Sequence, residues 1–372
     1  MRASAVAGII FANSHDEVLE ALTKKRSMAS VPFGARYRLV DFSLSNFVNA
    51  GITNVAIITK NNYRSLMDHV GSGIYWDLDR KNGGIRILSP FITSSARRYN
   101  GYVEALYNSR DFIERSNAEH IILTDGCVVG NIDLSEAVEY HCKKEADVTL
   151  LYKTLENYTN KTQAMTFECN SDGRIISADF PETVEGSAAT SFGVMIFRRE
   201  KLTELLKTAY ENGSRNIEED MIAANLKELK AYGFEHTGFA AIMDSKESYY
   251  SANMALLNEK VRRELFPPER PIYTKTRDDM PTRYGIDASV TNSVIAEGCV
   301  IEGTVKNSVL FRGVKVKKGA VVENCILMQD AVIGENACVE YSVFDKNAEL
   351  GAELSLKGTK ENYVFAEKNK KI

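Results

Sequence analysis

The segment Ser30-Val31-Pro32-Phe33-Gly34-Ala35-Arg36-Tyr37-Arg38-Leu39-Val40-Asp41-Phe42-Ser43-Leu44-Ser45-Asn46 decides how this chain is read. Pro32 and Gly34 interrupt regular structure, so the first half is a loop. From about Arg36 to Ala50 the apolar residues Val40, Leu44, Phe47 and Val48 recur at helical spacing, and Gly51 suits a C-terminal cap. Arg26, Arg36 and Arg38 bring three permanent cations to the start of that helix, where backbone N–H groups also favour anions.

Working outward, the first two-thirds of the chain alternates strand and helix patterns. Short apolar runs at residues 5–11, 55–59, 85–88, 120–123, 148–152 and 193–197 read as strands, with helical patterns at 36–50, 63–70, 103–116 and 134–144. Asn216, with Glu219 three residues on, signals a further helix start. This alternation predicts a layered α/β domain with a largely parallel sheet, whose chemistry sits just beyond the strand ends. Pro267, Pro268, Pro271 and Pro281 then crowd one stretch, which predicts an extended linker over 266–285 between domains 1–265 and 286–372.

After the linker a larger period takes over. Asn292-Ser293-Val294-Ile295, Asn307-Ser308-Val309-Leu310, Asn324-Cys325-Ile326-Leu327 and Tyr341-Ser342-Val343-Phe344 echo one another at spacings of 15, 17 and 17 residues. That is one coil of a hexapeptide-repeat β-helix, with Gly298, Gly313, Gly319 and Gly334 at corners. Each coil buries its apolar row only against its neighbours, so free coil surfaces tend to become subunit contacts.

Composition narrows the function classes. The 372 residues are 44% hydrophobic and 26% charged, with a net charge of −4, which argues against nucleic acid or an anionic membrane as a partner. Cys127, Cys142, Cys169, Cys299, Cys325 and Cys338 form no C-x-x-C pair and read as reduced core thiols in a cytoplasmic protein. The apolar run at residues 3–12 passes straight into Asn13-Ser14-His15-Asp16-Glu17, which suits a buried first strand better than a signal peptide.

The Val31-Pro32-Phe33-Gly34 loop with Tyr37-Arg38, Asp41-Phe42 and Leu44-Ser45-Asn46 resembles bacterial glucose-1-phosphate adenylyltransferase (ADP-glucose pyrophosphorylase). Met28 and Ala29 stand where that family carries lysine and proline, and Arg36 where it carries a second lysine. Pro271-Ile272-Tyr273-Thr274 and Ser248-Tyr249-Tyr250-Ser251-Ala252-Asn253 extend the likeness over nearly the whole chain. The resemblance implies a Rossmann-like nucleotidyltransferase domain, helices on both faces of its sheet, followed by a left-handed parallel β-helix. It also implies the reaction of ATP with glucose 1-phosphate, assisted by Mg²⁺, giving ADP-glucose and pyrophosphate.

Joining those substrates needs bare N–H groups and cations around the triphosphate and carboxylates for the metal. The matching positions have lost them. The family's glycine-rich phosphate loop, ending in an arginine, corresponds to Asn13-Ser14-His15-Asp16-Glu17-Val18, where His15 reads as a solvated loop residue. Gly126 occupies the position of the first metal-binding aspartate, with Asp125 one residue earlier. Ile242 occupies the second, with Asp244 two residues on. Phe180, between Asp179 and Pro181, replaces the lysine that holds glucose phosphate. Tyr99, Gly101, Glu104, Asp179, Ser191 and Gly193 outline a vestigial sugar pocket on the same resemblance.

This pattern resembles the non-catalytic glycogen biosynthesis protein that assembles with the active subunit. The expectation is a regulatory or assembly subunit in bacterial glycogen synthesis, weak or inactive alone, with no retained metal or cofactor and no catalytic residue. Its partner would be the catalytic adenylyltransferase, in a heterotetramer, and Arg26, Arg36, Arg38 and Lys60 would bind an anionic sugar-phosphate effector. The alternative is an active adenylyltransferase whose metal site is rebuilt from Asp125 and Asp244. A hexapeptide-repeat acyltransferase is disfavoured, because none of His15, His69, His120, His141 or His236 lies in the β-helix.

Overall fold

A computed structural model describes residues 5–89, 99–159 and 164–372. The strand Val6–Phe11 is buried at every position and sits mid-sheet, paired in parallel to Asn54–Ile58 and His120–Asp125. Gly84–Leu88 extends the parallel half. The 148–152 and 193–197 runs are parts of longer strands, Val148–Thr159 and Thr183–Arg198, which pair antiparallel to each other. Their outer reaches alternate exposed polar residues, so the apolar signal marked only the half inside the core.

Alternate residues of Val6–Phe11 feed two cores. Val6 and Ile10 pack with Val40, Leu44 and Leu66, whereas Ala7, Ile9 and Phe11 pack with Val103, Leu106 and Leu202. Helices therefore cover both faces of the sheet. The helix expected over 36–50 spans Leu39–Asn49, because a short hairpin pairing Phe33 with Tyr37 takes the residues before it. Its end is closed as the sequence suggests: Gly51 has φ 72°, with Gly51 N–H on the Val48 carbonyl and Ile52 N–H on that of Phe47. The 103–116 pattern divides into two short helices, Tyr102–Asn108 and Arg110–Glu114.

The C-terminal domain is a left-handed parallel β-helix made of three five-stranded parallel sheets. Its register repeats the sequence echo: Val294 pairs with Val309, Val309 with Ile326, and Ile326 with Val343. Gly298, Gly313 and Gly319 turn corners at positive φ, but Gly334 does not. Asparagine takes more of these corners than glycine, with Asn292, Asn307, Asn324, Asn336 and Asn347 all left-handed. The first coil strand, Arg283–Tyr284, already pairs with Val300–Ile301, so coiling starts inside the expected linker.

The linker is strapped down. Asn49 Nδ2 donates to the Pro271 carbonyl, Asn131 Nδ2 to that of Arg270, and Tyr273 N–H to Ser45 Oγ. A shared core joins the two domains, with Phe33, Phe42 and Tyr249 packed in the same cluster as Val309, Ile326 and Val343. The six cysteines form no disulfide among the described residues. Among the described residues no helix is long and apolar enough to cross a membrane.

Candidate functional site

Strand ends place two adjoining cavities at the top of the parallel sheet, lined in common by Phe11, His15 and Tyr102. The larger, about 340 Å³, runs along the Asn13–Val18 loop to Lys60, Tyr99 and Gly101. The smaller, about 100 Å³, is bounded by Asp125, Ser191, Gly193, Glu218 and Ile242. The predicted sugar pocket is therefore split between them. Glu104 lines neither and accepts the Asn100 N–H, while Asp179 accepts the N–H of Phe180 on an exposed strand end.

Both cavities are lined in part by the chain's own carboxyl groups. Asp16 Oδ1 accepts the Met28 N–H at 2.8 Å and Oδ2 accepts Asn13 Nδ2 at 2.6 Å. Burial raises the Asp16 pKa, against the pull of those hydrogen bonds and of Lys60. Glu218, which sequence reading missed, bonds Ser191 Oγ and accepts the Met165 N–H at 3.0 Å. Burial pushes its carboxyl up to about 7, and nearby Asp125 adds to the rise. Only the Asn216 cap signal pointed at it: the Asn216 side chain accepts the Glu218 and Glu219 N–H groups and starts the helix Ile217–Ile222.

The donors gathered here are a nitrogen, an oxygen and a sulfur. Those of His15, Asp125 and Cys127 lie within 4.8 Å of one another, and Asp244 is not in the group. Ser14 Oγ donates to Asp125 Oδ1 at 2.6 Å. Burial raises the Asp125 pKa, opposed by the His15 ring and by hydrogen bonds from Ser14 and Tyr102. His15, expected to be solvated, is instead half-buried at φ 56° against both cavities. This set does not fit Mg²⁺, a hard cation that takes oxygen ligands in near-octahedral geometry. Nor has Gly126 room for a carboxylate, since a Cβ there would lie 2.8 Å from both Ala29 Cβ and the Phe11 carbonyl.

A third cavity, about 570 Å³, lies between the domains. Arg26, Arg36 and Arg38 meet there with Lys25 and Arg64, while Lys60 lies apart in the strand-end cleft. The linker adds Lys275 and Arg277, and the β-helix adds Arg312, Lys346 and Lys368. Several of these cations are already paired: Arg26 with buried Asp345 at 2.9 Å, Arg36 and Arg312 with Glu297, Arg277 with Asp279. Lys25, Arg64, Lys346 and Lys368 have no ion pair among the described residues. Burial lowers the Lys346 and Lys368 pKa values, and Arg38 and Arg26 crowd them further. Burial also lowers Arg38 to about 10, although Asp41 opposes it.

The intact Ser248–Asn253 run proves to be structural. Tyr249 OH donates to the Pro32 carbonyl, Tyr250 OH to the Asn324 carbonyl of the β-helix, and Asn253 Oδ1 accepts the Gly34 N–H. It clamps the Pro-Phe-Gly loop and the second domain together.

A parallel sheet with a cleft at its strand ends, joined to a hexapeptide β-helix, defines the class as a nucleotidyltransferase fold. The Nucleotidyl transferase family matches residues 7–259, and the family described as GlmU-like, C-terminal hexapeptide matches residues 279–362. Glycogen biosynthesis protein GlgD of Bacillus subtilis (strain 168) is 33% identical over 362 residues, covering 97% of this chain and 95% of that protein. Glucose-1-phosphate adenylyltransferases of Bacillus mycoides (strain KBAB4) and Bacillus anthracis are each 33% identical over 341 residues, or 90% of either chain. The chain belongs to the family that contains these adenylyltransferases and the glycogen biosynthesis protein.

Proposed function

We propose that this chain is a regulatory or assembly subunit for a glucose-1-phosphate adenylyltransferase in bacterial glycogen synthesis, with little or no activity of its own. One observation carries the reading: the strand-end cleft is lined by the protein's own acids, whereas ten cations line the pocket between the domains. Asp16, on the Met28 N–H, places an acid in the loop where the family resemblance implies phosphate, and Glu218 on Ser191 adds a second buried carboxyl in the adjoining cavity. Like charges at short range in a poorly hydrated cleft oppose a triphosphate by several kcal/mol at an effective dielectric of about 20. Gly126 and Ile242 leave no carboxylate at the two metal positions that the family resemblance implies. The unpaired cations Lys25, Arg64, Lys346 and Lys368, by contrast, suit a multiply charged phosphate ester.

In this reading the partner's catalytic chain makes ADP-glucose, and this chain transmits an anionic sugar-phosphate signal through the domain junction. The test is ADP-glucose formation by this chain alone, by the catalytic adenylyltransferase subunit alone, and by the two co-purified, with and without phosphorylated sugars. The expected result is negligible turnover for this chain and a changed rate, KM or effector response for the mixture. Identical kinetics with and without this chain would refute the regulatory reading. Mg²⁺-dependent pyrophosphate release by the pure chain, abolished by Asp125→Asn, would establish the catalytic alternative.

A further inference from the structure

The misfit to Mg²⁺ has a positive side. We infer that His15, Asp125 and Cys127 form a three-residue site for a borderline-soft divalent cation of the Zn²⁺ type, beneath the strand-end cleft, with His15 and Asp125 lining its cavities and Cys127 fully buried below them. The three donor atoms already lie within 4.8 Å of one another. Tetrahedral Zn²⁺, with bonds of about 2.0–2.3 Å, holds its donors roughly 3.3–3.8 Å apart, so rotamer adjustment of about an ångström closes the set. Imidazole, carboxylate and thiolate are the ligands that Zn²⁺ takes, and a sulfur donor selects against Mg²⁺ and Ca²⁺.

The scaffold holds these residues firmly. Phe11 and Asp125 are register partners on neighbouring parallel strands, and the Gly126 N–H donates to the Phe11 carbonyl at 2.9 Å. The loop bearing His15 therefore leaves the sheet beside the turn bearing Asp125 and Cys127. Ser14 Oγ ties one oxygen of Asp125, in the manner of the outer hydrogen bonds that orient metal ligands. The Cys127 carbonyl accepts the Met243 N–H at 3.1 Å, which anchors the backbone beside the thiol. His15 lines both cavities and Asp125 the smaller one, so the ion reaches the buried Cys127 thiol from the cleft side. Binding displaces the thiol proton of Cys127 to water and leaves a thiolate–metal bond. The site stands whether or not the chain regulates a partner.

The test uses the full chain, reduced and stripped with chelator, titrated with Co²⁺ as a spectroscopic stand-in for Zn²⁺. One equivalent should produce thiolate-to-cobalt charge-transfer absorption and tetrahedral d–d bands. Zn²⁺ should bleach both, and millimolar Mg²⁺ should leave them unchanged. Cys127→Ser should abolish the charge-transfer band. His15→Asn, which tolerates the left-handed backbone, should weaken Co²⁺ binding on the order of a hundredfold or more, beyond the 10–100-fold typical of losing an outer hydrogen bond. Ser14→Ala should fall within that smaller range. Circular dichroism checks folding, and if Cys127→Ser fails to fold, His15→Asn carries the test. No charge-transfer band in the native chain, a band that survives Cys127→Ser, or Co²⁺ affinity unchanged by His15→Asn would overturn the site.

Discussion

Glu218 shows how one buried side chain changes the chemistry of a cleft wall. Its carboxyl ordinarily titrates near 4.5 and is raised to about 7 by burial beside Ser191 and Met165. The native state therefore holds a proton that the unfolded chain releases across that interval. Stability from this group is complete below about pH 4.5, declines as pH rises to about 7, and is flat above it. Glu218→Gln keeps an acceptor for the Met165 N–H and removes the titration. In urea unfolding, the variant's stability relative to the native chain should improve by on the order of 3 kcal/mol between pH 4 and pH 8. A difference that does not change with pH would mean that Glu218 ionises normally. The residue-scale logic was half legible in the sequence: the missing glycines and lysine were visible, but the acid that moved into the space was not.

At the scale of elements, the β-helix was the most readable part because its information is periodic. Every coil repeats one apolar row, so the spacing of 15, 17 and 17 residues reappears unchanged as strand register. The corners were read less well, since glycine is the obvious turn residue and asparagine turned out to supply more of them than glycine. Asn307 has φ 45° and accepts a hydrogen bond from Asn292 Nδ2 at 2.8 Å, one coil away. Asn307→Val should therefore cost about 1–2 kcal/mol, read as a lowered melting temperature. Val290→Thr on the exposed first coil should shift it by less than about 0.5 kcal/mol. Equal effects would show that the ladder contributes nothing beyond its backbone. The long antiparallel arms were under-read for the opposite reason: outside the core their polar alternation carries no apolar run.

For the whole molecule, the decisive contact is Arg26 with Asp345, 319 positions apart and both almost fully buried. It ties Arg26 to the second domain as a joint, and leaves Arg38, which the sequence selected, beside Lys25, Arg64, Lys346 and Lys368, which it did not, as pocket cations without an ion pair among the described residues. Arg26→Met strands Asp345 in the interface and should cost about 3–5 kcal/mol. Arg26→Met combined with Asp345→Leu should recover most of that loss, because the expense lies in the unpaired buried charge. Calorimetry on both variants decides it, and a double variant no more stable than the single one would assign Arg26 a different role.

The amino-acid sequence by itself determined the layered α/β domain, the coiled second domain and the acidic Asp16-Glu17 pair in the loop after the first strand. Each of those is written in local spacing or in residue identity, so no knowledge of distant contacts is required. The tertiary structure alone decided which side chains meet: Glu218 on Ser191 inside the cleft, ten cations from both domains and the linker around one cavity, and His15 beside Asp125 and Cys127. Convergence of residues tens to hundreds of positions apart depends on strand order and domain docking, and a linear pattern carries no signal for either.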